Sequence, residues 1–212
     1  MLLLLLPALL FALITWQVVT DGPLLTADER FSGDLVHPGR FWELLSDLGD
    51  VRVAVPVLAL AVACAGWWGR RAGLERWWLP PLAGALTMAL VPALVVPLKD
   101  WTARPSTPVM PPAVGYFPSG HTATAAVAYG AAALLVLPWL RSPAARRLVV
   151  AACAALVVAV STGLLIRGYH WPLDVVASWC LATVLLTGLW RVISRSSRRT
   201  SAGTPSRRSG PS

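Results

Sequence analysis

Residues 77–98 read Trp-Trp-Leu-Pro-Pro-Leu-Ala-Gly-Ala-Leu-Thr-Met-Ala-Leu-Val-Pro-Ala-Leu-Val-Val-Pro-Leu, uncharged from end to end and bracketed by Arg76 and Lys99. A run of about 20 apolar residues is what a helix needs to cross the hydrocarbon core of a bilayer. Similar runs lie on either side, over roughly 1–19, 51–68, 119–140, 148–166 and 171–190. Together they cover more than half of the 212 residues, leaving one long loop, four short connections and a basic end. The expected architecture is all-α: a polytopic membrane bundle of six transmembrane helices over residues 1–192. A disordered, basic cytoplasmic tail is expected over 193–212, held near anionic lipid.

Composition excludes the alternatives. Hydrophobic residues make up 56% of the chain and charged residues 13%, against about 25% charged in soluble domains. So apolar a chain is not disordered in bulk. Its three cysteines, Cys64, Cys153 and Cys180, are odd in number and sit in apolar runs, which argues against a disulfide-stapled secreted module.

The net charge of +8 would suggest nucleic acid in a soluble protein. Its distribution points to a membrane instead, and no nucleic-acid partner is expected. Arg70, Arg71, Arg76, Arg141, Arg146, Arg147, Arg191, Arg195, Arg198, Arg199, Arg207 and Arg208 lie on alternate connections and after the last span. The positive-inside rule places them in the cytoplasm, with both termini. Residues 20–50, 99–118 and 167–170 then face outward. Trp16, Trp67, Trp68, Trp77, Trp78, Trp139, Trp171 and Trp190 fall near span ends, as an aromatic belt does. No Lys or Arg precedes Leu2–Val19 and no small-x-small site follows Gln17, so the first run reads as a retained span rather than a cleaved signal. In the acidic loop 20–50, Pro38 starts and Gly49 ends a short helix whose face of Phe41, Leu44, Leu45 and Leu48 is expected on the membrane surface.

Ionisable residues at the outward ends of membrane helices are candidates for chemistry. Three clusters qualify: Lys99-Asp100-Trp101-Thr102-Ala103-Arg104-Pro105, Pro118-Ser119-Gly120-His121, and Arg167-Gly168-Tyr169-His170-Trp171-Pro172-Leu173-Asp174. Ser119 is a good N-cap for the Ala-rich helix that follows, and the free N–H groups behind it form an anion site. Pro172 suits a first helical turn, which leaves His170 just outside the helix and Asp174 one turn inside. That spacing lets a carboxylate hold one imidazole nitrogen and leaves the other free to attack. Lys99 is the only lysine in the chain. Each cluster alone has a plainer reading: a capped span with a surface His, a His and an Asp satisfied at the interface, a snorkelling Lys. Together, Lys99, Arg104 and Arg167 set three cations around two histidines, which matches a doubly charged phosphate.

Lys99…Arg104-Pro105, Pro118-Ser119-Gly120-His121 and His170-x-x-x-Asp174, in this order, resemble the type 2 phosphatidic acid phosphatase superfamily, which includes bacterial undecaprenyl-diphosphate phosphatases. The resemblance covers residues from about 40 to 190. It implies a six-helix, haloperoxidase-like core and a multi-pass cell-membrane protein whose active site opens on the outer face. It further implies that His170 is the nucleophile and forms a phosphohistidine, that Asp174 orients it, and that His121 protonates the leaving oxygen. Lys99, Arg104, Ser119 and Gly120 would bind the phosphoryl oxygens. No metal and no other cofactor is implied, and the sequence has no carboxylate cluster of the kind Mg²⁺ needs.

Two departures from the family pattern stand out. The usual Arg position after Lys99 is Ser106, with Arg104 nearer. The Arg expected six residues before His170 is Leu164, and the nearest is Arg167, one helical turn on and on a similar face. Either Arg167 substitutes, or phosphate binding is weakened or retargeted. The leading reading is a metal-independent membrane phosphatase hydrolysing a phosphomonoester or diphosphate on a lipid, of the polyprenyl diphosphate or phosphatidic acid type. The alternatives are a phosphotransferase of the same fold and a catalytically degenerate scaffold.

Overall fold

The structure is a computed structural model that describes residues 2–37 and 39–202. Among the described residues eight α-helices follow one another: α1 (Leu2–Val19), α2 (Pro23–Leu35), α3 (Arg40–Asp47), α4 (Val51–Arg71), α5 (Leu79–Thr102), α6 (Gly120–Val136), α7 (Pro143–Ile166) and α8 (Pro172–Ala202). A 3-10 turn, Leu137–Trp139, extends α6. Among the described residues the only β pairing is an isolated bridge between Pro105 and Val114. Local chemistry sets several starts. Asp50 caps α4 by accepting from the Arg52 N–H at 2.7 Å, and Ser119 and Ser142 cap α6 and α7. Proline opens α2, α7 and α8, where its missing N–H costs no hydrogen bond.

Helices α4 to α8 are each long and apolar enough to cross a membrane; α1 with α2, bent by 89° between them, makes a sixth candidate. Helix α6 is the axis of the bundle. It packs against α4, α5, α7 and α8 and is buried along most of its length. It tolerates four neighbours because its side chains are small: Ala123, Ala125, Ala126, Ala128 and Ala131 are all in the interior. The outer helices turn Leu60, Leu86, Leu148 and Val158 outward, as lipid contact requires. Helix α1 leans on α8, where Ile14 and Val18 meet Ala177 and Phe117. The helix order therefore gathers the end of α5 and the starts of α4, α6 and α8 at one end of the bundle. The arginines of the 70–76 and 141–147 connections lie at the other.

Two expectations need amendment. The segment 20–50 holds two helices, not one: α2 is an additional element, with Asp28 and Ser32 facing the protein. Pro38 lies outside the described residues. Helix α3 sits on α7, with Phe41 and Leu44 exposed and Leu48 packed against the core, so its apolar face is shared between protein and surroundings. The second amendment concerns the tail. Helix α8 runs to Ala202, past the boundary placed at 192. No proline or glycine interrupts the chain from Leu189 until Gly203, so nothing in the sequence stops the helix earlier. Residues 203–212 lie outside the described residues.

The α3–α7 contact is made backbone to backbone. A Cβ added at Gly163 would stand 2.6 Å from the Trp42 carbonyl oxygen and 2.7 Å from the Ser46 nitrogen. Gly188, in α8, has nothing within 4 Å of the same construction. Gly→Ala in a helix ordinarily stabilises by up to about 1 kcal/mol. Gly163→Ala should instead destabilise by about 1–3 kcal/mol, the usual cost of overpacking, and Gly188→Ala should not. Thermal unfolding of the two variants in detergent checks this.

Candidate active site

The end of α5 sets the first part of the site. Ala103 takes a left-handed conformation, φ 44°, and closes the helix by donating its N–H to the Lys99 carbonyl. The chain then turns out and back through 105–118. The Arg104 carbonyl accepts from the Gly115 and Tyr116 N–H groups at 2.9 and 3.1 Å. Lys99 Nζ donates to the Gly115 carbonyl at 2.6 Å and lies 6.0 Å from the Tyr116 ring centre. The Thr107 hydroxyl donates to the Gly168 carbonyl, tying this loop to the α7–α8 turn. Gly168 itself has φ +64°, and a Cβ there would strike Val109 at 2.5 Å. The turn thus requires glycine.

Ser119 is fully buried. Its hydroxyl accepts from the Thr122 N–H at 3.3 Å, its N–H donates to the Asp174 carbonyl, and its own carbonyl accepts from the Ser178 hydroxyl at 2.8 Å. It fastens α6 to α8 as well as capping α6. The next two N–H groups, of Gly120 and His121, lie in the first turn and have no acceptor within the helix. His121 is held from the other side. A Cβ on Gly49 would lie 3.0 Å from its carbonyl oxygen, and the Tyr129 hydroxyl clamps the Leu48 carbonyl at 2.6 Å.

His170 is 7% exposed. Its Nδ1 lies 3.2 Å from Asp174 Oδ2. The same oxygen accepts the Trp171 N–H at 3.2 Å. Behind it, Arg104 Nη1 donates to Asp174 Oδ1 at 2.5 Å and Nη2 to Asp28 Oδ2 at 2.6 Å. Asp28 Oδ1 also accepts the Leu173 N–H at 2.9 Å, and the guanidinium lies 5.3 Å from the Trp171 ring centre. A neutral imidazole with its proton on Nδ1, facing Asp174, leaves Nε2 with its lone pair free.

His170, His121, Lys99 and Gly120 line one cavity of about 460 Å³, with Ser46, Asp47, Met110, Gly115, Tyr116, Leu164 and Tyr169. A second space, about 600 Å³, runs between α4, α5 and α6; Val51, Val55, Met88, Val91, Val95 and Val96 line it. The two share Lys99, Gly120 and His121. A chamber that carries the ionisable side chains thus adjoins a more apolar groove. Among the described residues no three or more His, Cys, Asp or Glu side chains gather so as to hold a metal.

The three sequence clusters therefore meet at one end of the bundle, but not every residue occupies the place expected of it. Asp174 stands behind His170. Ser119 is turned into the protein as a cap. Arg104 is 3% exposed and grips two carboxylates rather than lining the cavity. Arg167 also lies off the cavity. It reaches the Tyr169 hydroxyl at 3.1 Å and Glu43 at 4.0 Å, while Leu164 forms the wall. Lys99 is thus the one Lys or Arg side chain among the described lining residues. Sequence reading missed Asp28, which no local spacing links to partners at Arg104 and Leu173. It also missed Asp47 and Tyr116 and gave no role to Tyr169; Tyr169 lies inside one recognised cluster and Tyr116 two residues before another, which is the signal that was there to find.

A family model of the PAP2 superfamily matches residues 80–198, more than half of the chain. Among solved structures, the crystal structure of the first transmembrane PAP2 type phosphatidylglycerolphosphate phosphatase from Bacillus subtilis is similar at a TM-score of 0.74. The match covers 98% of this chain and 100% of that one at 20% identity, a likeness of fold. No curated protein matches the chain. With the Lys99, Ser119-Gly120-His121 and His170–Asp174 segments inside the matched region, and an all-helical membrane fold in common with a PAP2 phosphatase, the chain belongs to the PAP2 superfamily.

Proposed function

We propose that this chain is a metal-independent lipid phosphatase, hydrolysing a phosphomonoester or diphosphate on a membrane lipid through a phosphohistidine on His170. The observation that carries this is the junction of two spaces. His170, backed by Asp174, and His121 face a chamber that adjoins, at Lys99 and Gly120, an apolar groove between transmembrane helices. A phosphate in the chamber and a hydrocarbon tail in the groove belong to one molecule.

In this mechanism His170 Nε2 attacks phosphorus. The P–N bond forms as the P–O bond to the leaving group breaks, and His121 donates its proton to the departing oxygen. Asp174 holds the Nδ1 proton and balances the positive charge that the ring acquires. Lys99 and the first-turn N–H groups of α6 bind the non-bridging oxygens. Water, deprotonated by His121, then attacks phosphorus and the P–N bond breaks, returning inorganic phosphate and free His170. Segregation of the 70–76 and 141–147 arginines to the opposite end of the bundle supports an outward-facing site.

His170→Ala should abolish both phosphate release and trapping of acid-labile phosphate on the protein. His121→Ala should slow turnover by about 10² to 10⁴, and by less for a diphosphate, a better leaving group. Radiolabelled substrate with rapid quench measures both; trapping that survives His170→Ala but not His121→Ala would reverse the two roles.

Phosphate release by purified protein should persist in EDTA across a panel of phosphatidic acid, phosphatidylglycerophosphate and polyprenyl diphosphate. Loss in EDTA with recovery on adding Mg²⁺ would overturn metal independence.

Ala89 lies on the exposed side of the groove. Ala89→Trp should displace part of a bound tail. At about 0.8 kcal/mol per buried methylene, losing two costs roughly tenfold or more in kcat/KM. That loss is expected for a long-chain lipid phosphate and not for a short-chain, water-soluble one.

A further inference from the structure

We propose that Asp28, on α2, is a positioning residue for His170, acting through Arg104 and Asp174. The proposal rests on His170 being the nucleophile. Its geometry is continuous: Asp28 to Arg104 at 2.6 Å, Arg104 to Asp174 at 2.5 Å, Asp174 to His170 at 3.2 Å. Asp28, Arg104 and Asp174 are 6%, 3% and 0% exposed, so solvent screens them little.

The charge count decides the role. A histidine that attacks phosphorus becomes positively charged, and a carboxylate behind it favours that change. Here the carboxylate is bound by an arginine. Arg104 and Asp174 alone sum to zero, and a neutral pair does little for a cationic ring. Asp28 adds the missing negative charge, so the three together carry −1 behind His170. Lys99 from α5 and His121 from α6 face the same cavity and oppose a cation there; Asp47, Tyr116 and Tyr169 complete its ionisable lining. Asp28 thus restores to Asp174 the influence that Arg104 removes.

Asp28 also accepts the Leu173 N–H at 2.9 Å and so ties α2 to the start of α8. Asn keeps a carbonyl oxygen for the Leu173 N–H but sets an NH2 group where Oδ2 accepts from Arg104, so the tie to α8 survives while the charge and the acceptor facing Arg104 are lost.

The test uses the full chain purified in detergent, with dioctanoyl phosphatidic acid as substrate. Asp28→Asn should lower kcat by about tenfold or more, with KM changed by less than about threefold. Neutral His170 is the active form, and removing a negative charge behind it makes a cationic ring harder to form, so the acid limb of the kcat profile should move to lower pH. Arg104→Gln removes a positive charge and should move the limb to higher pH. Asp28→Asn with Arg104→Gln leaves Asp174 as the one charge behind His170 and should recover most of the lost kcat. It also spares the fold a buried guanidinium that has lost one of its two carboxylates, should the single variant fail to fold. Wild-type kcat in Asp28→Asn would overturn the proposal. So would a loss that the double variant does not recover, with the acid limb unmoved in every variant. If His170→Ala retains turnover, the underlying reading has failed instead, which the trapping experiment shows directly.

Discussion

Arg104 is a buried cation held between two buried carboxylates, and the active end of this bundle depends on that arrangement. Desolvating three charged groups is expensive, and is recovered only when geometry and further hydrogen bonds are good. Here each group has both. The guanidinium gives one nitrogen to each acid, Asp28 takes the Leu173 N–H, and Asp174 takes the Trp171 N–H. Three separate elements meet at the triad: α2, the chain just past α5, and the start of α8. None can shift alone without leaving a charge unpaired. His170, beside such a triad, inherits its fixed position.

The opposite requirement governs the middle of the bundle. In hydrocarbon, helix association relies on close packing rather than on expulsion of water. Ala-rich α6, Gly130 against Leu186 and Gly84 against Leu135 allow that approach. The small-residue core brings helices together, and the ion triad and caps at one end then determine their ends. Ser119 joins the two tasks, since it starts α6 and binds α8 on both sides of its own peptide unit.

The apolar runs and caps made most of the bundle legible from the sequence, because a transmembrane helix is written locally in about 20 residues. The meeting of Lys99, Gly120, His121, His170 and Asp174 was legible too, since each sits at a helix end assigned to one side by charge. What escaped was long-range. Asp28 resembles any acid in an acidic, polar stretch, and its partners lie at Arg104 and Leu173. Arg104 and Arg167 carry the charge a phosphate site needs, but a cation is drawn equally to carboxylates or tyrosine hydroxyls within the protein. Residue type alone does not say which partner wins. Helix α2 escaped because its thirteen residues are too few and too polar to read as a span.

The chamber and the groove meet at Lys99, Gly120 and His121. On the proposed reading, that junction fixes the reacting phosphorus at one depth relative to the hydrocarbon, and substrate enters by diffusing within the plane of the bilayer. The quantity that sets occupancy is then the mole fraction of phosphorylated lipid among its neighbours, not molarity in the aqueous volume. Adding inert lipid at constant total substrate would slow each molecule of this protein by surface dilution, although nothing in the surrounding water had changed.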